Sequence, residues 1–578
     1  MFLSKPKAAE RIIVTTFAEN NNKIENMIRK LLKTLFVAAA VCTASQLTAQ
    51  NEATQLEWAD KRDGWLRKST ECIPQLSRQD IKPVAIVRSV ADKSAFQGWR
   101  MERTNEPVEV LYKESFKPRK EVILDLGDHY TGYFSFKVKD MNMPTDAPVR
   151  FRLTFAEVPG ELNANFDDRP ESSLSRAWLQ DEIITVMRMP HEVKVERRLA
   201  CRYVKIELLA QSYYDFVFED INFRAETSAH GKAAELAEGT DPMIKKINEI
   251  GLKTLAECMQ TVYEDGPKRD QRLWVGDLYL EALANAYSYK NHTLTRRCLY
   301  LLAGMTPDNG FLRGTVYEHL PERPDVGLHV MDYSLLYGVA LLEYFKETGD
   351  RATADDLWPV VKHQVEFARA YLKDNVFDVE KQPQHWLVFD WKDDLNRHAP
   401  MQGLMTFAIE QSYELAKMLG REGEVADWPK VVKDMRKASR EVFYDKKLGV
   451  MKSGPDAQIS YLSQVWMILS ETLNQKEAVR ALEYVFANDS TCYIGSPYAY
   501  HYLIEAMIKC GMGERAREML ITYWGGMVKK GADTFWEVYD PNDDYKSPYK
   551  FYPMNSYCHA WSCTPVYFIY KYKDIFQR

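Results

Sequence analysis

One change of hydrophobic period constrains this chain more than any other feature. Over 108–112, 122–126, 133–138, 149–155, 183–187, 193–195, 203–208 and 216–218, apolar and polar residues alternate. A period of two puts one set of side chains on one face of a strand. Turn residues separate these short runs, which predicts a β-sandwich of the jelly-roll kind. Near Ala225 the alternation stops. Apolar residues then recur three and four apart, as in Ile244, Ile247, Leu255, Met259 and Val262, in Leu335, Val339, Leu342 and Phe345, and in Leu404, Ala408, Leu415 and Leu419. That is the spacing of amphipathic helices. Breaks fall at Gly349-Asp350, Gly420, Gly511 and Pro541, and roughly a dozen helices of ordinary length fit between residue 231 and the end. No tight repeat period is present, which argues against a solenoid. A dozen antiparallel helices is the number an (α/α)6 barrel of six hairpins requires.

The chain has 578 residues, more than one ordinary core holds. The expected division is residues 1–50 as a leader with upstream residues, 51–95 as an N-terminal segment, 96–230 as the β-sandwich and 231–578 as the helical barrel. Met27-Ile28-Arg29-Lys30 is a basic start, 35–41 is an apolar run too short to span a bilayer, and Leu47-Thr48-Ala49 offers a small-residue cleavage site. This order reads as a secretory signal peptide, Met27 to Ala49, and places the mature protein in the periplasm or outside the cell. The net charge of −6 and the lack of a Lys/Arg block with interleaved aromatics leave no surface for nucleic acid. With 13 Trp and 33 Tyr, the composition leans towards carbohydrate, whose C–H faces stack on such rings. Nine cysteines are scattered without C-x-x-C pairs or histidines at zinc spacing, so no metal and no cofactor is expected. Cys42 falls in the leader and the other eight read as small core residues.

Chemistry concentrates in two places. Residues 264–277, Glu-Asp-Gly-Pro-Lys-Arg-Asp-Gln-Arg-Leu-Trp-Val-Gly-Asp, set four carboxylates and three cations between two helical patterns. Gly266-Pro267 must end the first helix, and Asp277 stands where an N-cap carboxylate would open the second. A salt-bridged loop that only ties helices together is the plainer alternative. The second place is Asp533-Thr534-Phe535-Trp536-Glu537-Val538-Tyr539-Asp540, where aromatic neighbours would partly desolvate Glu537. Glycoside hydrolysis needs two carboxyl groups, one to protonate the leaving oxygen and one to activate water or attack the sugar. Glu537 with a carboxylate of the 264–277 stretch meets that need. Asp540-Pro541-Asn542-Asp543-Asp544 lacks the glycine and distal glutamate of a calcium loop and reads as a turn. Trp274, Trp391, Trp536 and Trp561 are candidate sugar platforms, Asp390-Trp391 a candidate sugar-contact loop, and His559 a candidate cleft residue.

These segments resemble the bacterial α-L-rhamnosidases of glycoside hydrolase family 78. Residues 265–277 are similar to the family segment D-C-P-x-R-D-E-R-x-G-W-x-G-D, and Thr534-Phe535-Trp536-Glu537 to its T-x-W-E. Leu124-Asp125-Leu126-Gly127, Thr131-Gly132-Tyr133 and Arg202-Tyr203-Val204 resemble its accessory β-domain, and Asp332-Tyr333-Ser334 and Thr348-Gly349-Asp350 its hairpins. The likeness implies a six-hairpin inverting hydrolase acting on an α-linked L-rhamnose or similar sugar. Glu537 would be the base, and Asp277, Arg269, Trp274, Trp536, Asp390, Trp391 and His559 would contact substrate. The chain departs from the family pattern at three points. Gly266 replaces the cysteine, one residue is missing between Arg272 and Trp274, and Gln271 stands where the resemblance puts the proton-donating glutamate. Gln271 has no proton to give, so the donor is expected among Asp265, Asp270 and Glu264, with Asp265 first. Two alternatives stay open: hydrolysis of another sugar, such as a uronic acid held by Lys268, Arg269 and Arg272, or a homologue that only binds carbohydrate.

Overall fold

A computed structural model describes residues 60–171, 174–318, 329–381 and 386–578. The expected leader lies outside the described residues, as do Trp58 and His385. The alternating half folds into nine strands, all paired antiparallel: β1 (Ser77–Ile81), β2 (Ala85–Ala91), β3 (Trp99–Arg103), β4 (Glu121–Asp140), β5 (Val149–Ala156), β6 (Asp181–Val186), β7 (His191–Lys194), β8 (Leu199–Ala210) and β9 (Phe216–Thr227). Their order is β1-β9-β4-β8-β5-β6, with β2 and β7 also on β4 and β3 on β2. The long β4 changes register between Asp125 and Tyr130. Its first half pairs with β2, and its second half with β9 and β7. Phe134, Phe136, Phe151, Phe216 and Phe218 from alternate positions meet in the core. Phe136 meets Phe151 and Phe218 edge-on at 5.5 and 5.4 Å, the geometry ring quadrupoles favour.

Two local expectations change. Residues Val108–Tyr112 are not a strand but a 3-10 turn entered from Pro107. Val108 and Leu111, the two buried residues, lie three apart, a spacing that eclipses in a 3-10 turn and that a strand would split between its two faces. The sheet also begins at Ser77 rather than beyond residue 95. Four of the five residues of β1 are exposed, so it carries no alternation to read.

One helix, α1, covers residues 60–71 ahead of the sheet, and the helical half follows it: α2 (Pro242–Cys258), α3 (Val275–Tyr287), α4 (His292–Gly304), α5 (Met331–Thr348), α6 (Arg351–Arg369), α7 (His398–Leu419), α8 (Trp428–Phe443), α9 (Tyr461–Leu469), α10 (Gln475–Phe486), α11 (Pro497–Lys509), α12 (Gly513–Lys529), α13 (Pro565–Lys571) and the short α14 (Lys573–Phe576). Asp241 caps α2 through Met243 N at 2.7 Å, ahead of Pro242. Gly349 and Gly420 end α5 and α7 in the left-handed conformation that a glycine adopts without strain. α3 packs on α5, α5 on α7, α7 on α9 and α9 on α11, while α13 and the turn Ala560–Cys563 pack back on α3. The remaining helices pack on these as hairpin partners. Burial separates the two sets. α5 is buried on nearly every side, whereas α8 buries a single stripe of Trp428, Val432, Met435, Ser439 and Phe443. Among the described residues no helix is long and apolar enough to cross a membrane.

Charge pairs, half-buried at Arg202 and fully buried at Lys268 and His129, join the sheet to the helices. Arg202 of β8 bonds Asp125 at 3.0 Å and Asp533 at 2.9 Å. Lys268 meets Glu157 at 2.9 Å and Glu161 at 2.7 Å, and Glu157 also accepts the Tyr557 N–H at 2.7 Å. His129, fully buried, lies 3.2 Å from Glu157 and 3.7 Å from Glu257. Both carboxylates hold its imidazole pKa well above the ordinary value, against the downward push of burial. Removing one member of such a network strands a buried charge, at about 3–5 kcal/mol.

Candidate active site

The segments that precede α3, α7 and α13, with the first turn of α5, gather around a pocket of about 310 Å³. The stretch 264–277 is salt-bridged and also buried: Glu264, Asp265, Lys268, Arg269, Asp270 and Asp277 are all buried. Lys268 faces Glu157 and Glu161 and holds the loop from behind. Asp265, Arg269, Asp270, Arg272, Trp274 and Asp277 face the pocket.

Asp277 does not cap a helix. α3 begins two residues earlier, with Trp274 at the N-cap, so Asp277 falls in the first turn and looks into the pocket. Its Oδ1 has no hydrogen-bond partner; the nearest cation candidate is His559 Nδ1 at 3.7 Å. Burial first, then the charge of Asp265, pushes its carboxyl well above the usual range. Gly276 is required here, because a Cβ would fall 2.3 Å from the Tyr333 ring, which forms the adjoining wall.

Glu537 enters from the opposite side, 1 % exposed. Arg269 Nη2 donates to its Oε2, Ser556 N–H donates to the same oxygen at 3.0 Å, and Tyr549 O–H donates to Oε1 at 2.5 Å. Burial would raise its pKa, yet the Arg269 charge and these donors hold it below the ordinary glutamate value. The Arg269 guanidinium also donates to Met554 O at 2.8 Å, lies 4.4 Å over the Tyr549 ring, and approaches Asp270 Oδ1 at 3.4 Å with its other terminal nitrogen. Glu537 and Asp270 therefore flank one guanidinium. Asp270 is further held by Arg272 at 3.0 Å. Asp265 lies beneath the turn, where its carboxyl accepts the N–H of Asp270 at 3.1 Å and of Arg272 at 3.4 Å. Burial, and then the neighbouring Asp270 charge, raises Asp265 to about 8.

Gln271 is not in the pocket. Its side chain turns outward and its amide donates to Pro267 O at 2.7 Å and Arg198 O at 3.3 Å. Two residues expected to contact substrate do not line the pocket either. Trp536 is 1 % exposed and stacks on Phe96 at 4.1 Å, because it sits next to Glu537 in sequence on the side away from the pocket. Asp390 is 2 % exposed and spends both oxygens on Gly495 N–H at 2.7 Å and Ser496 O–H at 2.5 Å. It fixes the loop that presents Trp391, which does line the pocket. His559 lines it too, packed on Trp561 at 4.1 Å; burial lowers its pKa to about 3, so the ring is neutral.

Sequence reasoning missed Tyr549, Tyr333 and Trp386 as walls of the pocket. Tyr333 stood in a segment read only as a hairpin signature, and Tyr549 lies in an irregular stretch after Pro541 where no periodicity points inward. Among the described residues no group of three or more His, Cys, Asp or Glu is arranged to hold a metal.

The model of the glycosyl hydrolase family 78 alpha-rhamnosidase N-terminal domain matches residues 83–225. The model of the bacterial alpha-L-rhamnosidase 6 hairpin glycosidase domain matches residues 234–572. Among solved structures, a rhamnosidase from Klebsiella oxytoca with rhamnose bound is 35 % identical, with a TM-score of 0.83 over 88 % of this chain and 99 % of that one. A family 78 rhamnosidase of Bacillus sp. GL1 gives 20 % identity and a TM-score of 0.64, over 78 % of this chain and 46 % of that one. A Streptomyces avermitilis α-L-rhamnosidase complexed with L-rhamnose gives 18 % and 0.60, over 86 % of this chain and 44 % of that one. The chain thus spans less than half of these two longer proteins, and at such identity they speak for the fold alone. No curated protein sequence gives a significant match. With its larger part matched by the six-hairpin model and a rhamnosidase matched at 35 % identity along nearly that protein's whole length, the chain belongs to the glycoside hydrolase family 78 α-rhamnosidases and is a glycoside hydrolase.

Proposed function

We propose that this protein is an exported, inverting α-L-rhamnosidase that removes an α-linked L-rhamnose or similar deoxysugar from an oligo- or polysaccharide. The observation that carries the reading is the placement of Glu537 and Asp270 on the two sides of Arg269, facing one pocket. Glu537, kept ionised, takes a proton from water as the water oxygen attacks the anomeric carbon. The glycosidic C–O bond breaks, and Asp270 gives its proton to the departing oxygen. The products are the inverted sugar and a free alcohol. Asp270 is preferred to Asp265 as donor because Asp265 is committed beneath the turn to two backbone N–H groups. Asp265 then positions the turn. Asp277, Trp274, Trp391 and His559 form the sugar-facing wall. A carboxyl pair a guanidinium apart suits inversion, which needs room for water at about 6.5–9.5 Å, better than retention at about 5–5.5 Å.

In this reading residues 1–50 hold the leader, a jelly-roll sandwich extends to residue 230 and takes in β1 and β2 ahead of the expected boundary at 96, and 231–578 form an (α/α)6 barrel. Gln271 lies outside the pocket and Asp270 within it, which favours a hydrolase over a mere binding homologue. Lys268, Arg269 and Arg272 all have carboxylate partners within the protein, which weakens the reading as a uronic acid hydrolase.

Proton NMR of p-nitrophenyl α-L-rhamnoside during hydrolysis tests the proposal. β-L-rhamnose is expected as the first anomer. The α anomer first, or no release at all, would overturn it.

A further inference from the structure

A second chamber, also about 310 Å³, opens among the helices away from the catalytic pocket. Its wall takes residues from α3, α5, α7, α9, α11 and α13, the helices that pack in succession around the fold. Along α5, Glu343 in this wall lies ten residues beyond Tyr333, about 15 Å at 1.5 Å per residue. Packed aromatic rings fill the space between: Tyr333 meets Tyr498 at 5.9 Å, Tyr498 meets Tyr502 at 5.2 Å, and Tyr502 meets His501 at 5.0 Å. The two chambers are therefore separated by a wall of rings.

His501 is the feature that packing alone does not explain. It is fully buried, it faces the chamber, and neither ring nitrogen has a hydrogen-bond partner. A buried donor and acceptor left unmet destabilise the fold unless something else meets them. Burial lowers its pKa to about 3, so the ring offers one donor and one acceptor and no charge. Around it stand the rings of Tyr279, Tyr502, Tyr567 and Tyr572. The charged groups of the wall are engaged within the protein. Glu343 pairs with Lys346 at 2.9 Å, Lys509 with Glu471 at 2.8 Å, Glu505 accepts the Tyr572 hydroxyl at 3.2 Å, and Lys571 donates to Tyr567.

We propose that this chamber is a second binding site, for a neutral monosaccharide, in which His501 hydrogen-bonds a ring hydroxyl and the tyrosines pack on its C–H faces. The volume sits at the lower end of the range for small-ligand sites, about 300–1,000 Å³, which suits one sugar ring. The internal pairing of the surrounding charges disfavours an ionic ligand.

Calorimetric titration of the full chain with L-rhamnose, D-glucose, D-galactose and D-mannose tests it. At least one sugar should give a binding event that persists in Asp270→Asn and disappears in His501→Phe, while turnover of an aryl rhamnoside by His501→Phe stays within about twofold. His501→Gln, which keeps a donor and an acceptor, should hold the affinity within about tenfold. Because His501 is in the core, Gln411→Trp, which fills the chamber from a half-buried position in its wall, serves as the second variant and should also abolish the event. No event with any of the four sugars, or one that survives both His501→Phe and Gln411→Trp, overturns the proposal.

Discussion

Glu537 and Asp265 line the same pocket, are buried to a similar degree, and are driven to opposite protonation states. Burial pushes both carboxyls towards the neutral acid. Glu537 resists because a guanidinium, a phenol and a backbone N–H all point at its oxygens. Asp265 does not, because its donors are two longer backbone contacts and the charge that acts on it most strongly is another aspartate. Desolvation alone thus does not sort acids from bases in this site; the placement of Arg269 does. One pocket holds an ionised carboxylate in Glu537 and a carboxyl pushed towards its protonated form in Asp265, the separation of pKa values that acid–base hydrolysis needs.

The largest test of that contrast removes each side in turn and varies the leaving group. Glu537→Gln should cost about 1,000- to 10,000-fold in kcat on every rhamnoside, because no leaving group relieves the need to activate water. Asp270→Asn should cost about 100- to 1,000-fold on an alkyl rhamnoside, yet less than about tenfold on a dinitrophenyl one, whose phenolate leaves without a proton. Kinetics on both substrates decide the outcome. If Asp265→Asn showed that leaving-group dependence and Asp270→Asn did not, the donor would be Asp265.

How far the sequence foretold this site depends on the residue. Asp265, Arg269, Trp274 and Asp277 were legible because a dense charged motif between two helical periods has few other uses, and Glu537 because a carboxylate between aromatic residues is set up for burial. The period switch near Ala225 was enough to divide sheet from helices. Direction was not legible. Gln271 and Asp270 are neighbours with opposite facings, and no composition rule says which one turns outward. The same holds for Trp536 and Glu537. Asp390 looked like a sugar contact because it is an acid beside a tryptophan, but its role is to hold Gly495 and Ser496. Tyr549 acquires its role through Glu537 and through Arg269, which is far away in the chain, and such contacts leave no trace in local spacing.

A smaller effect separates the two carboxyls by stability rather than rate. Asp265 is raised to about 8 in the fold from an ordinary aspartate value near 3.8, so the folded state binds the proton more tightly than the unfolded chain. Its contribution to stability is fully present below about pH 4 and is lost as pH rises through about 8. Asp265→Asn removes that proton linkage. Denaturant melts at intervals between pH 4 and pH 8 should show a flatter decline for the variant, by an order of a few kcal/mol across the window. Parallel curves for variant and parent would mean that Asp265 is ionised at neutral pH and that Asp270 lacks the neighbour assigned to it.

The finest probe acts on the Glu537 side. Tyr549 donates to Glu537 Oε1 and lies against the Arg269 guanidinium. In Tyr549→Phe the ring stays and only the hydroxyl goes, so Arg269 keeps its stacking surface while the carboxylate loses a donor. A hydrogen bond to an ionised group contributes about 1.5–3 kcal/mol, partly recovered here by water entering the pocket. The pKa of Glu537 should therefore rise by about one unit, at 1.36 kcal/mol per unit. Because Glu537 starts below the ordinary value, it would still be mostly ionised at pH 7. The acid limb of the kcat/KM profile should move up by about one pH unit while the rate at pH 7 falls less than about fivefold. An acid limb that stays in place with a raised KM would make Tyr549 a sugar contact, and would leave Arg269 and the Ser556 N–H as the groups that keep Glu537 charged.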